Sequence, residues 1–223
     1  MRFAVVIPAA GRSLRFGGIK KEYRLLDGIT VLSHSIRLFI ENPACAAIVV
    51  LVPEGKEALG DAKDAIGPLL LAKAGPRLMF AEGGAERFDS VKAGLLALRS
   101  FDPEYVLVHD AARPWASPAL VDRVLQETIR SGAAIPGFVP PDTIKKVGKD
   151  GIISEHLARA NLRAVQTPQG FLYRGLLAAY LSAGSSAANA TDDAEIWAMA
   201  GGAVVMVDGE RSNNKITFPE DLP

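Results

Sequence analysis

The chain has one cysteine and three histidines among its 223 residues. Cys45 cannot form an internal disulfide, and His34, His109 and His156 have no spacing typical of a zinc site. Cys45 lies among apolar residues, where a buried and unreactive thiol is expected. This cysteine usage is typical of a reducing compartment and predicts a cytoplasmic protein.

The sequence also lacks a charge excess and a long apolar run. Lys and Arg together number 25, and Asp and Glu together number 25, so no global field would attract nucleic acid or an anionic membrane. No apolar run approaches the ~18 residues of a membrane span, and no signal-peptide pattern precedes the first strand. We therefore expect neither a nucleic-acid partner nor a membrane partner.

Apolar runs of strand length alternate with segments of helical periodicity. The predicted strands are Phe3–Ile7, Ala47–Val52, Arg77–Ala81, Tyr105–Val108, Ala133–Phe138 and Ala203–Val207. The predicted helices are Val31–Glu41, Lys56–Ala65, Ser90–Arg99, Ser117–Ser131, Arg174–Ser182 and Asp192–Ala200. Because continuous apolar strands are covered on both faces, we predict an α/β fold with a three-layer, Rossmann-like, mostly parallel sheet. Since no linker or repeat is present, residues 1–223 are expected to form a single domain.

One segment, from Gly137 to Phe171, interrupts the alternation of strands and helices. It contains a Pro-Pro pair, a KDG turn and short β-like stretches, with few helix signals. We interpret it as a protruding hairpin or β-arm, at about residues 138–165.

The first strand runs into the loop Pro8-Ala9-Ala10-Gly11, which has no bulky side chain. Backbone N–H groups in such a loop can approach an anion closely, and a following helix would direct its positive end to the same place. The residues that follow have an excess of positive charge, with Glu22 as the one acidic residue among them, and such an excess suits a triphosphate. The cations are Arg12, Arg15, Lys20, Lys21 and Arg24. Neither a Walker A motif nor a G-x-G-x-x-G motif is present. A tight turn with solvated cations is the alternative interpretation.

The stretch "VLVHDAARP" places Asp110 directly after a predicted buried strand. A carboxylate at that edge of the sheet can meet Mg²⁺ or a ligand hydroxyl. The structural alternative is that Asp110 caps the next turn and pairs with Arg113. His109 is interpreted as a structural residue at the strand end.

A second glycine-rich stretch, "EGGAERFDSVKAGL", sets Gly83 and Gly84 after a strand and Ser90 near the start of a helix. One interpretation is that these residues form a second concavity, which binds a base or a phosphate. The other is that they form a glycine turn followed by a capping serine.

Two further motifs lie towards the C-terminus. In "TDDAEIW", Thr191 or Asp192 is the N-cap of a helix, and Asp192 and Glu195 have the spacing of a capping box. In "RSNNKIT", Lys215 follows the last strand region, where a lone lysine would ordinarily be a solvated surface residue.

Taken together, these motifs resemble the 2-C-methyl-D-erythritol 4-phosphate cytidylyltransferases of the non-mevalonate isoprenoid pathway. The matching stretches follow the order of that family and are "PAAGRSLRF", "KKEY", "GGAERFDSV", "VHDAARP", "PPDTIKK", "TPQGF", "TDDAE" and "NNKITFPEDL". They cover nearly the whole chain and are specific in combination. The PAAG loop with a later lysine, taken alone, would indicate only the wider sugar-nucleotide class of nucleotidyltransferases.

The resemblance implies a single nucleotidyltransferase domain that joins CTP to 2-C-methyl-D-erythritol 4-phosphate, with Mg²⁺ held mainly on the CTP phosphates, near Asp110. It implies that Arg15 and Lys21 stabilise the pentavalent phosphorus, and that Arg159 and Lys215 orient the attacking phosphate. The positions that match the CTP site are Pro8, Ala9, Ala10, Gly11, Gly83, Gly84, Ser90 and Ala111. The positions that match the polyol phosphate site are Asp110, Arg113, Arg159, Thr167, Thr191 and Lys215.

The resemblance further implies a homodimer in which the arm carrying Arg159 crosses to a second subunit. Three positions depart from the family pattern: Lys20 where Pro is usual, Ala85 where an acidic residue is frequent, and Asn214 where an apolar residue is usual. The final "PEDLP" lacks a last helix that many members have, which indicates a naturally short end or a domain of a longer, bifunctional polypeptide.

Two alternative functions remain open at this point. One is a cytidylyltransferase for another polyol phosphate, such as ribitol 5-phosphate. The other, from a different class, is a nucleotide-binding module without catalytic activity.

Overall fold

The apolar runs form strands and the amphipathic segments form helices in the computed structural model, which describes residues 2–11, 13–184, 187 and 190–222. The strands are β1 (Phe3–Pro8), β2 (Leu25–Leu26), β3 (Ile29–Thr30), β4 (Cys45–Val52), β5 (Leu78–Glu82), β6 (Tyr105–Val108), β7 (Ala133–Phe138), β8 (Lys145–Val147), β9 (Ile153–His156), β10 (Ala164–Val165), β11 (Gln169–Leu172) and β12 (Val205–Asp208). The α-helices are α1 (Val31–Ile40), α2 (Lys56–Ile66), α3 (Pro68–Ala74), α4 (Arg87–Ala97), α5 (Pro118–Ser131), α6 (Tyr173–Ser182) and α7 (Asp193–Met199).

The main sheet has parallel strands at its centre, in the order β10-β7-β11-β6-β1-β4-β5. Strand β1 pairs in parallel with β4 and β6, so that Val5 lies opposite Ile48 on one side and Leu107 on the other. Strand β11 is antiparallel to both β6 and β7, while β12 pairs in parallel with β7. The predicted α/β class with a mostly parallel sheet is confirmed.

Helices cover both faces of the sheet, which explains why its strands are apolar without alternation. On one face, Val5 and Ile7 of β1 belong to a core cluster with residues of α1, α2 and α5. On the other face, Ala4 and Val6 belong to a cluster with residues of α4, α6 and α7. A Cβ added at Gly94 of α4 would lie 2.6 Å from Val6 Cγ1, so glycine lets this helix pack closely on the sheet. These are the three predicted layers.

The predicted arm contains an antiparallel hairpin formed by β8 and β9, in which every residue is exposed. Gly151 in its turn has φ +80°, a conformation that glycine adopts without a steric penalty. The irregular segment Gly137 to Phe171 also contains a strand of the main sheet beyond the predicted arm, because Gln169, Gly170 and Phe171 are buried in β11. Pro168 and Gly170 resemble turn signals, and this similarity concealed a central strand.

Most predicted boundaries agree with the structure, and three local predictions are wrong. Helix α4 begins three residues before Ser90, and α3 was not predicted. Between β1 and α1, the described residues contain the single 3-10 turns Leu14–Phe16 and Lys21–Tyr23, so the α-helix expected directly after the first loop does not form there. Of the helices in the described ranges, none combines the length and the apolar character that crossing a membrane requires.

Candidate active site

A cavity of about 1000 Å³ opens where β1, β4, β5 and β6 end. The loops that follow parallel strands converge at one edge of a sheet, which is where ligands of such folds bind. The lining residues are Pro8, Ala10, Gly11, Ser13, Arg15, Phe16, Lys20, Lys21, Glu22, Pro53, Glu54, Gly83, Gly84, Ala85, Glu86, Arg87, Ser90, Asp110, Ala111, Ala112, Lys215 and Thr217. The fold therefore brings both glycine loops, Asp110 and Lys215 to one place.

The loop after β1 lines the cavity with Pro8, Ala10 and Gly11, which have small side chains or none. Ala9 is buried and its N–H donates to the carbonyl of Leu51 at 2.9 Å, so Ala9 supports the loop without lining the cavity. A Cβ added at Gly11 would meet no heavy atom within 4 Å, so the space in front of Gly11 is open. The loop is therefore shaped for the close approach of a ligand to backbone groups.

The glycine pair after β5 forms the opposite wall. A Cβ added at Gly83 would lie 2.4 Å from the Cβ of Ala10 and 2.7 Å from the Oγ of Ser90, so the two loops can approach this closely only if residue 83 is glycine. Ser90 lies inside α4, where its Oγ donates to the carbonyl of Glu86 at 3.1 Å. The N-cap of α4 is Glu86, so the interpretation of Ser90 as the capping residue is wrong.

Lys21 lines the cavity and is 9% exposed. Its Nζ donates a hydrogen bond of 2.7 Å to the carbonyl of Ile216. Burial lowers the pKa of Lys21, Glu22 opposes this effect, and the like charges of Lys215 and Arg15 add to it. Arg15 is exposed and lines the same cavity. The sequence motif thus places two cations at one cavity, one held rigidly and one at the surface.

Asp110 is the centre of a cluster of cations at the end of β6. Its carboxylate lies 2.7 Å from Lys215 Nζ, 3.6 Å from Arg113 Nε and 3.8 Å from Arg87 Nε, and its side chain is 12% exposed. Burial opposes the ionisation of Asp110, but the charges of Lys215, Arg87 and Arg113 outweigh burial and hold its pKa far below the usual range. The pairing of Asp110 with Arg113, which was the structural alternative, occurs together with the pairing to Lys215.

Arg87 is a cavity-lining residue that sequence reasoning missed. Its guanidinium forms a bidentate pair with Asp193, with distances of 3.1 and 2.6 Å, and Asp193 is fully buried. Tyr180 donates to the same carboxylate at 2.5 Å. Burial would lower the pKa of Arg87, but the carboxylates of Asp193 and Asp110 raise it above its ordinary value. The only local signal was a charged residue at the start of α4, and nothing in the sequence indicated its partner 106 positions away.

His109 and Thr167 support Asp110 from behind. His109 is fully buried, and its Nε2 lies 3.2 Å from the carbonyl of Arg113, which can only accept, so Nε2 carries the proton. The Nδ1 of His109 therefore accepts from the hydroxyl of Thr167 at 3.2 Å, while Thr167 Oγ1 accepts from the N–H of Asp110 at 3.0 Å. Burial lowers the pKa of His109 to about 4, so the ring is neutral near pH 7. The interpretation of His109 as structural agrees with these contacts.

Several predicted residues lie outside the cavity lining. Arg159 is exposed in the arm and donates to the carbonyl of Pro141 at 2.9 Å. Thr191 is exposed and donates to Glu195, and its neighbour Asp192 is the N-cap of α7. Arg24 is exposed and does not line the cavity, and Arg12 lies outside the described residues.

The carboxylates of the cavity do not fit a resident metal ion. No group of three or more His, Cys, Asp or Glu side chains in the described part of the chain is arranged to hold a metal ion. Asp110 already faces three cations, which compete with a divalent ion for its oxygens.

Comparison with known proteins gives consistent results over the whole chain. The family model described as "IspD: 2-C-methyl-D-erythritol 4-phosphate cytidylyltransferase" matches residues 3–223. The chain is 41% identical over 223 residues to the bifunctional enzyme IspD/IspF of Rhodospirillum rubrum, covering 99% of this chain and 55% of that protein. It is 39% identical over 223 residues to the 2-C-methyl-D-erythritol 4-phosphate cytidylyltransferase of Bacillus cytotoxicus, covering 99% of this chain and 94% of that protein.

A solved structure supports the same relationship. The crystal structure of the 2-C-methyl-D-erythritol 4-phosphate cytidylyltransferase from Thermus thermophilus superposes with a TM-score of 0.79 at 36% identity, covering 100% of this chain and 96% of that chain. The chain thus spans about half the length of the bifunctional relatives that it matches, and nearly all of the monofunctional ones.

Proposed function

Because this chain belongs to the 2-C-methyl-D-erythritol 4-phosphate cytidylyltransferase family, we propose that it transfers the cytidylyl group of CTP to 2-C-methyl-D-erythritol 4-phosphate. The products are 4-diphosphocytidyl-2-C-methyl-D-erythritol and pyrophosphate, in cytoplasmic non-mevalonate isoprenoid precursor synthesis. The observation that carries the proposal is the convergence of Arg15, Lys21, Asp110 and Lys215 on one cavity.

The proposed reaction is an in-line substitution at the α-phosphorus of CTP. A phosphate oxygen of the polyol phosphate forms the new P–O bond, and the bond from the α-phosphorus to the pyrophosphate oxygen breaks. The attacking oxygen is already anionic, so no general base is required. The task of the protein is to hold two anions together and to stabilise the charge that grows on the phosphorus oxygens.

Lys21 and Arg15 are the groups proposed to stabilise that charge. The hydrogen bond from Lys21 Nζ to Ile216 fixes the ammonium before any ligand binds, which limits the reorganisation needed during reaction. Arg15 is exposed at the cavity and is proposed to contact the triphosphate. The nucleotide is proposed to bind between the backbone of Ala10 and Gly11 and the opposite wall, which is formed by Gly83, Gly84 and Ser90. The same site is proposed to include Pro8, Ala9 and Ala111.

Asp110, Thr167, Arg113 and Lys215 are proposed to bind the polyol phosphate. The hydroxyl hydrogen of Thr167 is used by His109, so Thr167 Oγ1 offers a substrate only an acceptor. The Asp110 carboxylate is likewise an acceptor, which suits the hydroxyl groups of a polyol. Lys215 supplies the positive charge for the phosphate at the same point.

We propose that Mg²⁺ enters as part of the Mg–CTP substrate. A bound divalent ion would neutralise phosphate charge and favour the departure of pyrophosphate. The cluster at Asp110 is then free to orient the second substrate instead of holding the metal.

We also propose a homodimer, in which Arg159 of the arm completes the polyol site of the neighbouring subunit, and in which residues 1–223 act as one domain. Thr191 is proposed to belong to the polyol site as well. Two facts support the proposed homodimer. Arg159 lies outside the lining of its own cavity, and the arm exposes apolar side chains, namely Val139, Ile144, Val147, Ile152 and Ile153.

The decisive experiment measures pyrophosphate release from CTP and Mg²⁺ with 2-C-methyl-D-erythritol 4-phosphate, with ribitol 5-phosphate, and with neither. The expected result is release that depends on the first polyol phosphate and is lost in Lys21→Ala. A preference for ribitol 5-phosphate would replace the substrate assignment. Binding of CTP without release under any condition would favour a non-catalytic nucleotide-binding module.

A further inference from the structure

We infer that Lys20 is a positioning residue for the triphosphate of CTP, acting through the backbone of the loop after β1. Its Nζ lies 2.9 Å from the carbonyl oxygen of Ala9 and 2.7 Å from that of Gly11. One ammonium group therefore binds both ends of the stretch Ala9 to Gly11. This role rests on the proposed function, since it describes how the loop that receives the nucleotide is held.

The two hydrogen bonds determine the direction of the peptide groups in this loop. In a trans peptide, the carbonyl of one residue and the N–H of the next point in opposite directions. When Lys20 holds the carbonyl of Ala9, the N–H of Ala10 therefore points away from the Lys20 ammonium. The N–H of Ala9 donates to Leu51, whereas the N–H of Ala10 has no protein acceptor within the described ranges. The N–H of Ala10 is thus available to an anion.

Without Lys20, the loop would tend to turn carbonyl oxygens, and not N–H groups, towards the triphosphate. Carbonyl oxygens that lose their donor seek another cation or water, and a rotated peptide group would turn partial negative charge towards the triphosphate. Lys20 prevents this rotation and adds a positive charge to the same wall of the cavity, which it lines. Hydrogen bonds with one charged partner are among the stronger ones in proteins, so two of them restrain a short loop effectively.

The ordinary alternative is a solvated surface lysine, and the surroundings of Lys20 differ from that case. Lys20 is half-buried, and burial lowers its pKa, with Glu22 opposing the effect. Its Nζ also lies 6.0 Å from the centre of the Tyr23 ring. A partly desolvated ammonium is costly unless it is hydrogen-bonded, and both of its bonds go to the loop.

Lys20 and Lys21 have separate tasks although they are neighbours. Lys21 donates to Ile216, on the C-terminal side of the cavity, whereas Lys20 donates to the N-terminal loop. Removal of Lys21 is expected to affect the reacting phosphorus, and therefore kcat. Removal of Lys20 is expected to weaken the binding of the triphosphate, and therefore to raise the KM for CTP.

The test compares Lys20→Met with Lys20→Arg, and with Lys73→Met as a matched control on α3, a helix that contributes no residue to the cavity. In Lys20→Met we expect the KM for CTP to rise about tenfold or more, with a kcat change below about threefold and an unchanged KM for the polyol phosphate. Lys20→Arg keeps a charge and several donors, and should restore the KM to within about threefold of wild type. Thermal unfolding of each variant checks that the fold is retained.

An unchanged KM for CTP in Lys20→Met, or an equal rise of both KM values, would overturn the inference. Calorimetric titration of CTP with Mg²⁺, without polyol phosphate, provides a second readout that needs no turnover. If wild type binds CTP but forms no product, the proposed function fails while Lys20 is still tested by the affinity of Lys20→Met for CTP. Weaker binding in that variant, relieved in Lys20→Arg, would support the role of Lys20.

Discussion

The Nζ of Lys21 donates a hydrogen bond of 2.7 Å to the main-chain carbonyl of Ile216, 195 residues later in the chain. Ile216 directly follows Lys215, whose own ammonium lies 2.7 Å from Asp110. The N–H of Ile216 in turn donates to the carbonyl of Ala112 at 2.9 Å. One backbone segment thus joins the lysine proposed for phosphorus chemistry to the cluster proposed for the second substrate.

Lys21→Ala should reduce kcat by about two to three orders of magnitude, since loss of one preorganised donor to a developing oxyanion costs ~2.7–4 kcal/mol of barrier. Steady-state pyrophosphate release measures the effect. The matched control is Lys73→Ala, because Lys73 is exposed on α3 and forms a surface ion pair with Glu41. A kcat close to that of wild type in Lys21→Ala would remove Lys21 from the mechanism.

Asp110→Asn should lower the free energy of unfolding by about 3 kcal/mol near neutral pH, because three cations lose their common partner. The folded pKa of Asp110 is depressed, so its contribution is present above its unfolded pKa of ~3.9 and is lost as pH falls towards the folded value. Urea unfolding of both proteins between about pH 7 and about pH 3 tests this. A constant difference down to the lowest pH contradicts the prediction.

His109 should make the protein less stable in mild acid. Its folded pKa of about 4 lies below the unfolded value of ~6.5, so stability falls by about 3 kcal/mol as pH decreases across that interval. His109→Phe removes the titrating ring and should flatten the stability curve in this window. An equally steep curve in the variant would assign the acid sensitivity to other groups.

Asp193→Asn should destabilise the fold by about 3 kcal/mol, since it leaves the Arg87 guanidinium without its buried carboxylate partner. Tyr180→Phe is the milder comparison, because it removes one hydrogen bond to Asp193 and should cost about 1 kcal/mol. Equilibrium denaturation ranks the two variants. Equal effects would show that the charge pair carries no special weight.

Mixing two inactive variants can test whether the site is shared between subunits. If Arg159 serves the cavity of the neighbouring subunit, a Lys21→Ala and Arg159→Ala heterodimer has one intact site. Random pairing of equal amounts should then restore roughly one quarter of the wild-type activity. Recovery should disappear at dilutions that dissociate the dimer. No recovery, with heterodimers shown by sedimentation or mass spectrometry, would place Arg159 in its own subunit's site or outside the mechanism.

Six of the twelve described strands and most helices could be predicted from sequence, because each of these is specified locally. Continuous apolar runs bounded by turn residues placed six strands within two residues of their observed ends. Strand β11 was missed, since Pro168 and Gly170 resemble turn signals. Gly170 is needed there for tertiary reasons, because a Cβ would lie 2.2 Å from the Oγ1 of Thr128.

By itself, the sequence determined the α/β alternation, the two glycine loops and the residue types that converge on the cavity. Only the tertiary structure decided which groups pair: Lys20 with the loop carbonyls, Lys21 with Ile216, and Arg87 with Asp193. Secondary structure depends on neighbours within a few positions, whereas these pairs depend on how separate sheet edges and helix ends meet in space. The periodicity of the sequence therefore contains no information on which of these distant groups come into contact.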